Sequence, residues 1–198
     1  MPRETSASGA VRLVGADGLS FSIDDTGCVR RIDRGDTLVN LFVASAVENG
    51  PANLYLRLHA GSSVEVTPLL GPGSPTRGSC IASDRWVGSG AWNGLRYTVS
   101  LTMAKGEPAW IWQVHLTNRD TREASVDLLY AQDIGLAPYA MARLNEYYIS
   151  QYVDHSPLQH AQQGWVIASR QNLASGGRNP WSLIGSPPPA AGFATGAL

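Results

Sequence analysis

The feature that most constrains this chain is a series of short apolar runs, each ended by residues that form turns. The runs are too short for typical helices, and Gly, Pro, Asn and Asp separate them. Short strands at regular spacing are typical of an antiparallel β-sandwich. The predicted strands are Val11–Val14, Leu19–Ile23, Cys28–Asp33, Leu54–Ala60, Cys80–Val87, Leu95–Met103, Ala109–Leu116, Ala124–Tyr130 and Trp165–Arg170.

The strand Ala109–Leu116 indicates how these strands are arranged. Because side chains alternate along a strand, Trp110, Trp112 and Val114 share one face and His115 lies on the other. A sheet face with two tryptophans needs a second sheet to cover it. The sequence therefore predicts an all-β fold of two packed antiparallel sheets.

Two segments between the strands are rich in turn formers and predict loops, Pro68–Gly78 and Gly88–Gly94. The only helix that we predict is short, at Pro138–Leu144. Its alanines and leucine favour a helix, and a proline suits the first turn.

Composition and charge exclude several classes of function. A hydrophobic content of 43%, with six Trp and seven Tyr, supports the core of a single domain over residues 1–198. The net charge is −1 without a Lys/Arg cluster, so no nucleic-acid partner is expected. Without a secretory signal or a membrane-spanning run, we expect a cytoplasmic protein with no membrane partner. In that reducing compartment Cys28 and Cys80 are expected to be free, although the sequence leaves pairing open.

The stretch Tyr130–Arg170 holds most of the functional information, because polar side chains alternate there with aromatic ones. This composition suits a surface that contacts carbohydrate or another domain, where rings stack and polar groups converge. A buried, hydrogen-bonded corner of a β fold is an equally weighted interpretation. The polar members are Asp133, Arg143, Asn145, Glu146, Gln151, Asp154, His155 and Arg170, and the aromatic members are Tyr139, Tyr147, Tyr148, Tyr152 and Trp165.

No catalytic residue is assigned. A glycosidase needs two carboxyl groups about 5–9 Å apart. The acids in this stretch, Asp133, Glu146 and Asp154, have no spacing that predicts such a pair. Acids in this setting are usually structural or bind substrate.

Histidines and tryptophans give weaker signals. His155 and His160 are five residues apart and no cysteine joins them, so no metal site is predicted. Trp86 and Trp92 flank a glycine-rich segment, where either could stack on a sugar ring, but core packing is the commoner role.

Four motifs resemble the N-terminal domain of an inverting glycoside phosphorylase family. They are DIGL at Asp133–Leu136, NEYYISQYVDH at Asn145–His155, SRQN at Ser169–Asn172 and NPWSLIGS at Asn179–Ser186. The family includes cellobiose, chitobiose and 1,2-β-oligoglucan phosphorylases and the phosphorylase-like region of cyclic β-1,2-glucan synthases. These motifs lie in about the last third of the chain, and they are most similar to the 1,2-β-oligoglucan phosphorylase branch.

The resemblance implies a galactose-mutarotase-like β-supersandwich, with a helical catalytic barrel downstream. This chain is then a fragment, incomplete at its C-terminus, so that Trp110, Trp112, Leu128 and Trp165 should be incompletely covered. The parent enzyme would phosphorolyse β-linked glucooligosaccharides with inversion, as a homodimer and without a cofactor. Inorganic phosphate would be its co-substrate and a sugar 1-phosphate its product. The substrate-binding candidates are Asn145, Glu146, Gln151 and Arg170.

Two other functions stay open. The first is a stand-alone, non-catalytic β-sandwich that binds carbohydrate. The second is a mutarotase-like or hydrolytic sandwich with its own acid pair.

Overall fold

A computed structural model describes residues 9–45 and 47–196, and it confirms the all-β class. About half of the chain, 51%, lies in strands and 7% in helices. The residues divide into two compact units. The first comprises residues up to Gly35 together with Phe42–Asp133, and the second comprises Asp36–Leu41 together with the chain from Ile134 onward. The single-domain organisation over residues 1–198 stays a prediction.

Antiparallel pairings build the sheets, and the helices are short. A 3-10 turn at Ala16–Gly18 follows the first strand. The strands are β1 (Val11–Val14), β2 (Leu19–Ile23), β3 (Val29–Arg34), β4 (Thr37–Leu38), β5 (Asn53–Ala60), β6 (Ser63–Pro68), β7 (Arg77–Ala82), β8 (Arg85–Trp92), β9 (Leu95–Met103), β10 (Trp110–Asn118), β11 (Ser125–Ala131), β12 (Ala137–Pro138), β13 (Val153–His160), β14 (Gly164–Gln171) and β15 (Trp181–Gly185), and the helices are α1 (Tyr139–Leu144) and α2 (Glu146–Ser150).

The first unit is built from three groups of paired strands, with an apolar core between sheet faces. The strand orders are β1-β2-β3, β10-β9-β8-β7 and β11-β5-β6. Leu13, Phe21 and Ile32 lie side by side across β1, β2 and β3 and are fully buried. The Phe21 ring meets the Trp110 ring edge-to-face, with centroids 5.0 Å apart. The β2 face therefore packs against the tryptophan face of β10, as expected for a sandwich.

The alternation predicted along β10 is confirmed. Trp110, Trp112 and Val114 are half-buried, whereas His115 is exposed on the opposite face. On β8, Trp86 is completely buried and meets the Trp112 ring edge-to-face at 6.4 Å. Trp86 is therefore a core residue, which excludes it as a surface stacking residue for a sugar.

A buried ion pair closes the turn between β2 and β3. Asp24 Oδ2 accepts hydrogen bonds from Arg30 Nη2 at 2.7 Å and Nε at 3.2 Å. Its Oδ1 accepts from the backbone N–H groups of Thr26 at 2.9 Å and Cys28 at 3.1 Å. Burial opposes ionisation, but these hydrogen bonds, led by those from the Thr26 hydroxyl and Arg30, hold the pKa of Asp24 below its ordinary value.

Two predictions for residues 80–94 are wrong. The predicted strand Cys80–Val87 is a hairpin, in which β7 ends at Ala82 and β8 begins at Arg85. The predicted loop Gly88–Gly94 belongs mostly to β8. Its glycines indicated a turn. Gly88 lies in a strand instead, and the Trp86 ring occupies the space that a side chain at this position would need.

The second unit contains a three-stranded sheet, a short pair of strands and both helices. β4 pairs with β12, and β13, β14 and β15 form a three-stranded sheet in that order. The predicted helix is confirmed as α1, but the expectation of a single helix is wrong, because α2 follows directly. Strands β6, β13 and β15 were not predicted. Strand formation there depends on the partner strands more than on local pattern.

Several apolar side chains are incompletely covered, as expected. Leu128 is 44% exposed and Trp165 is 37% exposed, and Trp110 and Trp112 are half-buried. The described part of the chain has no helix with the length and apolar character needed to cross a membrane.

Neither Cys28 nor Cys80 forms a disulfide bond, as expected. Burial, reinforced by the charge of Asp24, raises the pKa of Cys28 to about 11, so that thiol stays protonated and unreactive at neutral pH.

Candidate functional site

The stretch with alternating polar and aromatic residues forms the helix pair and the β13-β14 hairpin of the second unit. Asn145 lies between the helices, and its Oδ1 accepts a hydrogen bond of 2.9 Å from the backbone N–H of Tyr148. This bond satisfies a donor at the start of α2, which is the usual role of an asparagine N-cap. Asn145 therefore has a structural role in addition to any contact with a ligand.

Two further candidates lie on or beside α2. Glu146 forms an exposed ion pair with Arg143, with 2.8 Å between Oε1 and Nη1. Exposed pairs of this kind contribute little to stability, so Arg143 leaves Glu146 available to another partner. Gln151 is exposed at the C-cap of α2. Asn145, Glu146 and Gln151 are thus neighbours around one short helix.

Next to them, Tyr148 and Tyr152 form an aromatic pair with ring centroids 4.9 Å apart. The hydrogen bond with Tyr152 raises the pKa of the Tyr148 hydroxyl, which therefore stays protonated at neutral pH.

Arg170, the fourth candidate, lies on β14, the central strand of the three-stranded sheet. It is directly opposite Asp154 on β13 and Trp181 on β15, so these three side chains share one face. We call them the Trp181 row. The Arg170 guanidinium carbon lies 5.6 Å from the centroid of the Trp181 ring, within the range of a cation–π contact.

The Trp181 row combines an exposed ring with polar groups whose hydrogen-bonding capacity is only partly used. Trp181 is 56% exposed. The Nε of Arg170 is buried without a hydrogen-bond partner in the described structure, and Asp154 Oδ2 accepts a 2.6 Å hydrogen bond from Asn172. An exposed ring beside an arginine and a carboxylate can stack on a sugar ring and bind its hydroxyl groups.

Gln171, the neighbour of Arg170, connects this strand to α2. Its buried side chain donates from Nε2 to the carbonyl oxygens of Gly135 at 2.9 Å and Ile149 at 3.2 Å. Its Oε1 accepts from the backbone N–H of Leu173 at 3.0 Å. The Ile149 bond brings the end of β14 to α2, whereas the Arg170 side chain lies on the opposite sheet face from that of Gln171.

Both interpretations of the polar stretch hold in part. Gln171 and Ser169 are buried, and the Ser169 hydroxyl lies 2.8 Å from His155 Nδ1 on the opposite face of the sheet. This part is a structural polar corner. Asn145, Gln151 and Trp181 are instead exposed and available to a ligand.

The three acids show no arrangement for hydrolysis. Asp133 Oδ2, in the first unit, accepts a 2.6 Å hydrogen bond from the backbone N–H of Phe42. Glu146 and Asp154 are engaged by Arg143 and Asn172. These three contacts fit carboxylates that hold neighbouring parts of the chain in place.

The histidines have local roles as well. His160 Nδ1 accepts hydrogen bonds from the backbone N–H groups of Gln162 and Gln163, while His155 contacts Ser169. Within residues 9–45 and 47–196, no group of three or more His, Cys, Asp or Glu could hold a metal ion.

Trp181 and Gln171 were missed as site residues by the analysis of the sequence. The spacing of Trp181 and Leu183 around Ser182 could have indicated a strand with these two residues on one face. No local signal marks Gln171, because two of its three partners, Gly135 and Ile149, come from other segments.

Comparison with known proteins gives two matches. The SOGP N-terminal domain family matches residues 22–198. A 1,2-beta-oligoglucan phosphorylase of Listeria innocua serovar 6a is 30% identical over 184 residues. That similarity covers 89% of this chain but 15% of the Listeria protein, so the chain spans only a small part of the length of this relative.

Proposed function

Since this chain belongs to the SOGP N-terminal domain family, we propose that it is the carbohydrate-contacting domain of a glycoside phosphorylase. The observation that carries the proposal is the 30% identity to a 1,2-beta-oligoglucan phosphorylase over 89% of the chain. Family membership also confirms the resemblance that the sequence motifs indicated.

The proposed parent enzyme cleaves β-linked glucooligosaccharides with inorganic phosphate and releases a sugar 1-phosphate. The linkage is β-1,2, as the name of the Listeria relative suggests. Catalysis takes place in a helical domain that follows this one, with no cofactor, and the parent is a homodimer. It works in the cytoplasm, where the thiols of Cys28 and Cys80 would stay reduced.

In this proposal, the second unit forms part of the wall of the substrate cleft. Trp181 stacks on a glucose ring, because the C–H face of a sugar suits an aromatic plane. Arg170, beside the Trp181 ring, donates from its guanidinium group to a sugar hydroxyl, with Asp154 as an acceptor opposite it. Asn145, Glu146 and Gln151 contribute further polar contacts from α2.

Binding tests this assignment directly. We expect saturable, millimolar binding of β-1,2-glucooligosaccharides to the 198-residue chain, measured by calorimetry or by NMR shifts. Trp181→Ala and Arg170→Ala should each weaken binding about tenfold, since the loss of one ligand-orienting partner costs about 1–3 kcal/mol. A matched control is Trp92→Ala in the first unit, which should bind normally.

Two results would contradict the proposal. Equal binding by wild type and by Trp181→Ala with an unchanged melting temperature would refute the Trp181 row as a sugar site. An absence of saturable binding would refute carbohydrate contact by this chain. Incubation with phosphate and the same oligosaccharides should release no glucose 1-phosphate, because Asp133, Glu146 and Asp154 are engaged in local hydrogen bonds and ion pairs.

A further inference from the structure

The outer face of the β10-β9-β8-β7 sheet, opposite its tryptophan face, is cationic. The four strands contain no Asp or Glu. They carry Arg77, Arg85, Arg96 and His115, and the pairing register places all four on the outer face. A positive face of this kind on a chain with a net charge of −1 is a local concentration of charge that attracts anions.

The same face contains a depression of about 320 Å³, which is open to solvent. This volume lies at the lower end of the roughly 300–1,000 Å³ that is typical of small-molecule sites. Its polar lining is supplied by Arg85, Thr98, Ser100, Gln113 and His115. Val87, Ser100 and Gln113 are directly opposite one another on three neighbouring strands, so Ser100 lies at the centre.

The lining offers hydrogen-bond donors that have no partner in the described structure. Among residues 9–45 and 47–196, the side chains of Arg85, Gln113 and His115 form no hydrogen bond or ion pair. Two other arginines of the same unit, Arg30 and Arg57, instead make two hydrogen bonds each to an aspartate. Arg85 therefore keeps its five N–H donors available to a ligand.

We propose that this depression binds the phosphoryl group of a small anion. The lining has a guanidinium, two hydroxyls, an amide and an imidazole, but no carboxylate to accept hydrogen bonds from neutral sugar hydroxyls. It also lacks an aromatic ring on which a sugar could stack. Arginine matches phosphate geometry through paired, charge-assisted hydrogen bonds.

Strand spacing supports the fit. Neighbouring strands lie about 4.8 Å apart, so β8 and β10 lie roughly 10 Å from each other. A phosphoryl group placed over Ser100 is then within reach of Arg85 from one side and Gln113 from the other. An ester substituent on the phosphoryl group would extend toward Thr98 and His115. This inference rests on the first unit alone and does not depend on the proposed function.

Titration of the 198-residue chain with inorganic phosphate, glucose 6-phosphate and glucose tests the inference. Calorimetry should detect saturable binding of the phosphoryl compounds and not of glucose, with affinity falling as NaCl is raised. Equal affinity for both phosphoryl compounds would identify the phosphoryl group itself as the ligand. Tighter binding of glucose 6-phosphate would identify a sugar phosphate.

Arg85→Gln should weaken phosphoryl binding at least about tenfold, because hydrogen bonds to charged groups are the strong ones. Its melting temperature should be unchanged, since Arg85 is exposed and has no partner to lose. The matched control is Arg122→Gln, whose arginine is exposed in a loop outside this face. Absence of saturable phosphoryl binding, equal binding of glucose, or wild-type affinity in Arg85→Gln would each overturn the proposal.

Discussion

Replacement of Gly88 by alanine should destabilise the first unit, because the Trp86 ring occupies the space of the new methyl group. A Cβ at Gly88 would lie 2.7 Å from Thr76 Cγ2 and 2.9 Å from Trp86 Cζ2, and closer still to Trp86 Cη2. The ring cannot easily move away, since Trp86 is fully buried and a Cβ at Gly27 would already lie 2.8 Å from its Cη2. The methyl group would therefore overpack a closed core.

The expected cost follows from two opposing effects. Overpacking a core costs about 1–3 kcal/mol, whereas alanine is favoured over glycine in a strand by roughly 0.5–1 kcal/mol. A net loss of about 1–2 kcal/mol should lower the melting temperature by about 2–8 °C in a chain of this size. Thermal unfolding followed by circular dichroism measures this difference.

The matched control is Gly192→Ala, since a Cβ at Gly192 meets no heavy atom within 4 Å. It should change stability by less than about 0.5 kcal/mol. In a Trp86→Phe background, Gly88→Ala should cost less, because the smaller ring leaves room for the methyl group. Wild-type stability of Gly88→Ala, or additive effects in the double variant, would refute this reasoning.

Three further predictions concern buried polar groups. Asp24→Asn leaves Arg30 buried without its counter-charge and should lower the free energy of unfolding, measured in urea, by about 3–5 kcal/mol. Asp33→Asn removes the charge from the more exposed pair with Arg31 and should cost less than about 1 kcal/mol. Because the pKa of Asp24 is lower in the folded state, the unfolded state takes up the proton first. The stability that ionised Asp24 contributes should therefore be fully present above the ordinary aspartate pKa of 3.8 and should fall as the pH drops below it. A midpoint of urea unfolding that does not change with pH in the wild-type chain would contradict this linkage. Gln171→Ala should cost about 1–3 kcal/mol by removing the side-chain hydrogen bonds to the carbonyl oxygens of Gly135 and Ile149. The exposed Gln159→Ala should be neutral, and equal stability of these two variants would show that the Gln171 bonds do not hold α2.

Local pattern explains the parts of the fold that could be predicted. β9 was predicted with its exact bounds at Leu95–Met103, and the alternation of Trp110, Trp112 and His115 on β10 was predicted correctly. These features depend on the alternation of buried and exposed side chains along a strand, which consecutive residues of the sequence show directly. The glycines of β8 misled the prediction, because Gly88 and Gly90 are required by rings of Trp86 and Tyr97 and not by a turn.

The candidate site was only partly accessible from the sequence. The motifs pointed to the correct stretch and included Asn145, Gln151 and Arg170, but the role of Asn145 as a helix cap appeared only with α2. Whether a polar side chain in that stretch is buried or exposed depends on strand register, which the local sequence does not specify.

The sequence by itself determined the all-β class, the tryptophan face and the family, because alternation and motifs are local. Only the tertiary structure decided which distant residues meet. It placed Arg170 over Trp181 through the pairing of β14 with β15. It also brought Arg85 and His115, thirty residues apart in the chain, to one depression. Strand pairing joins residues that are far apart in sequence, so the charge and shape of a sheet face arise only when the register is set.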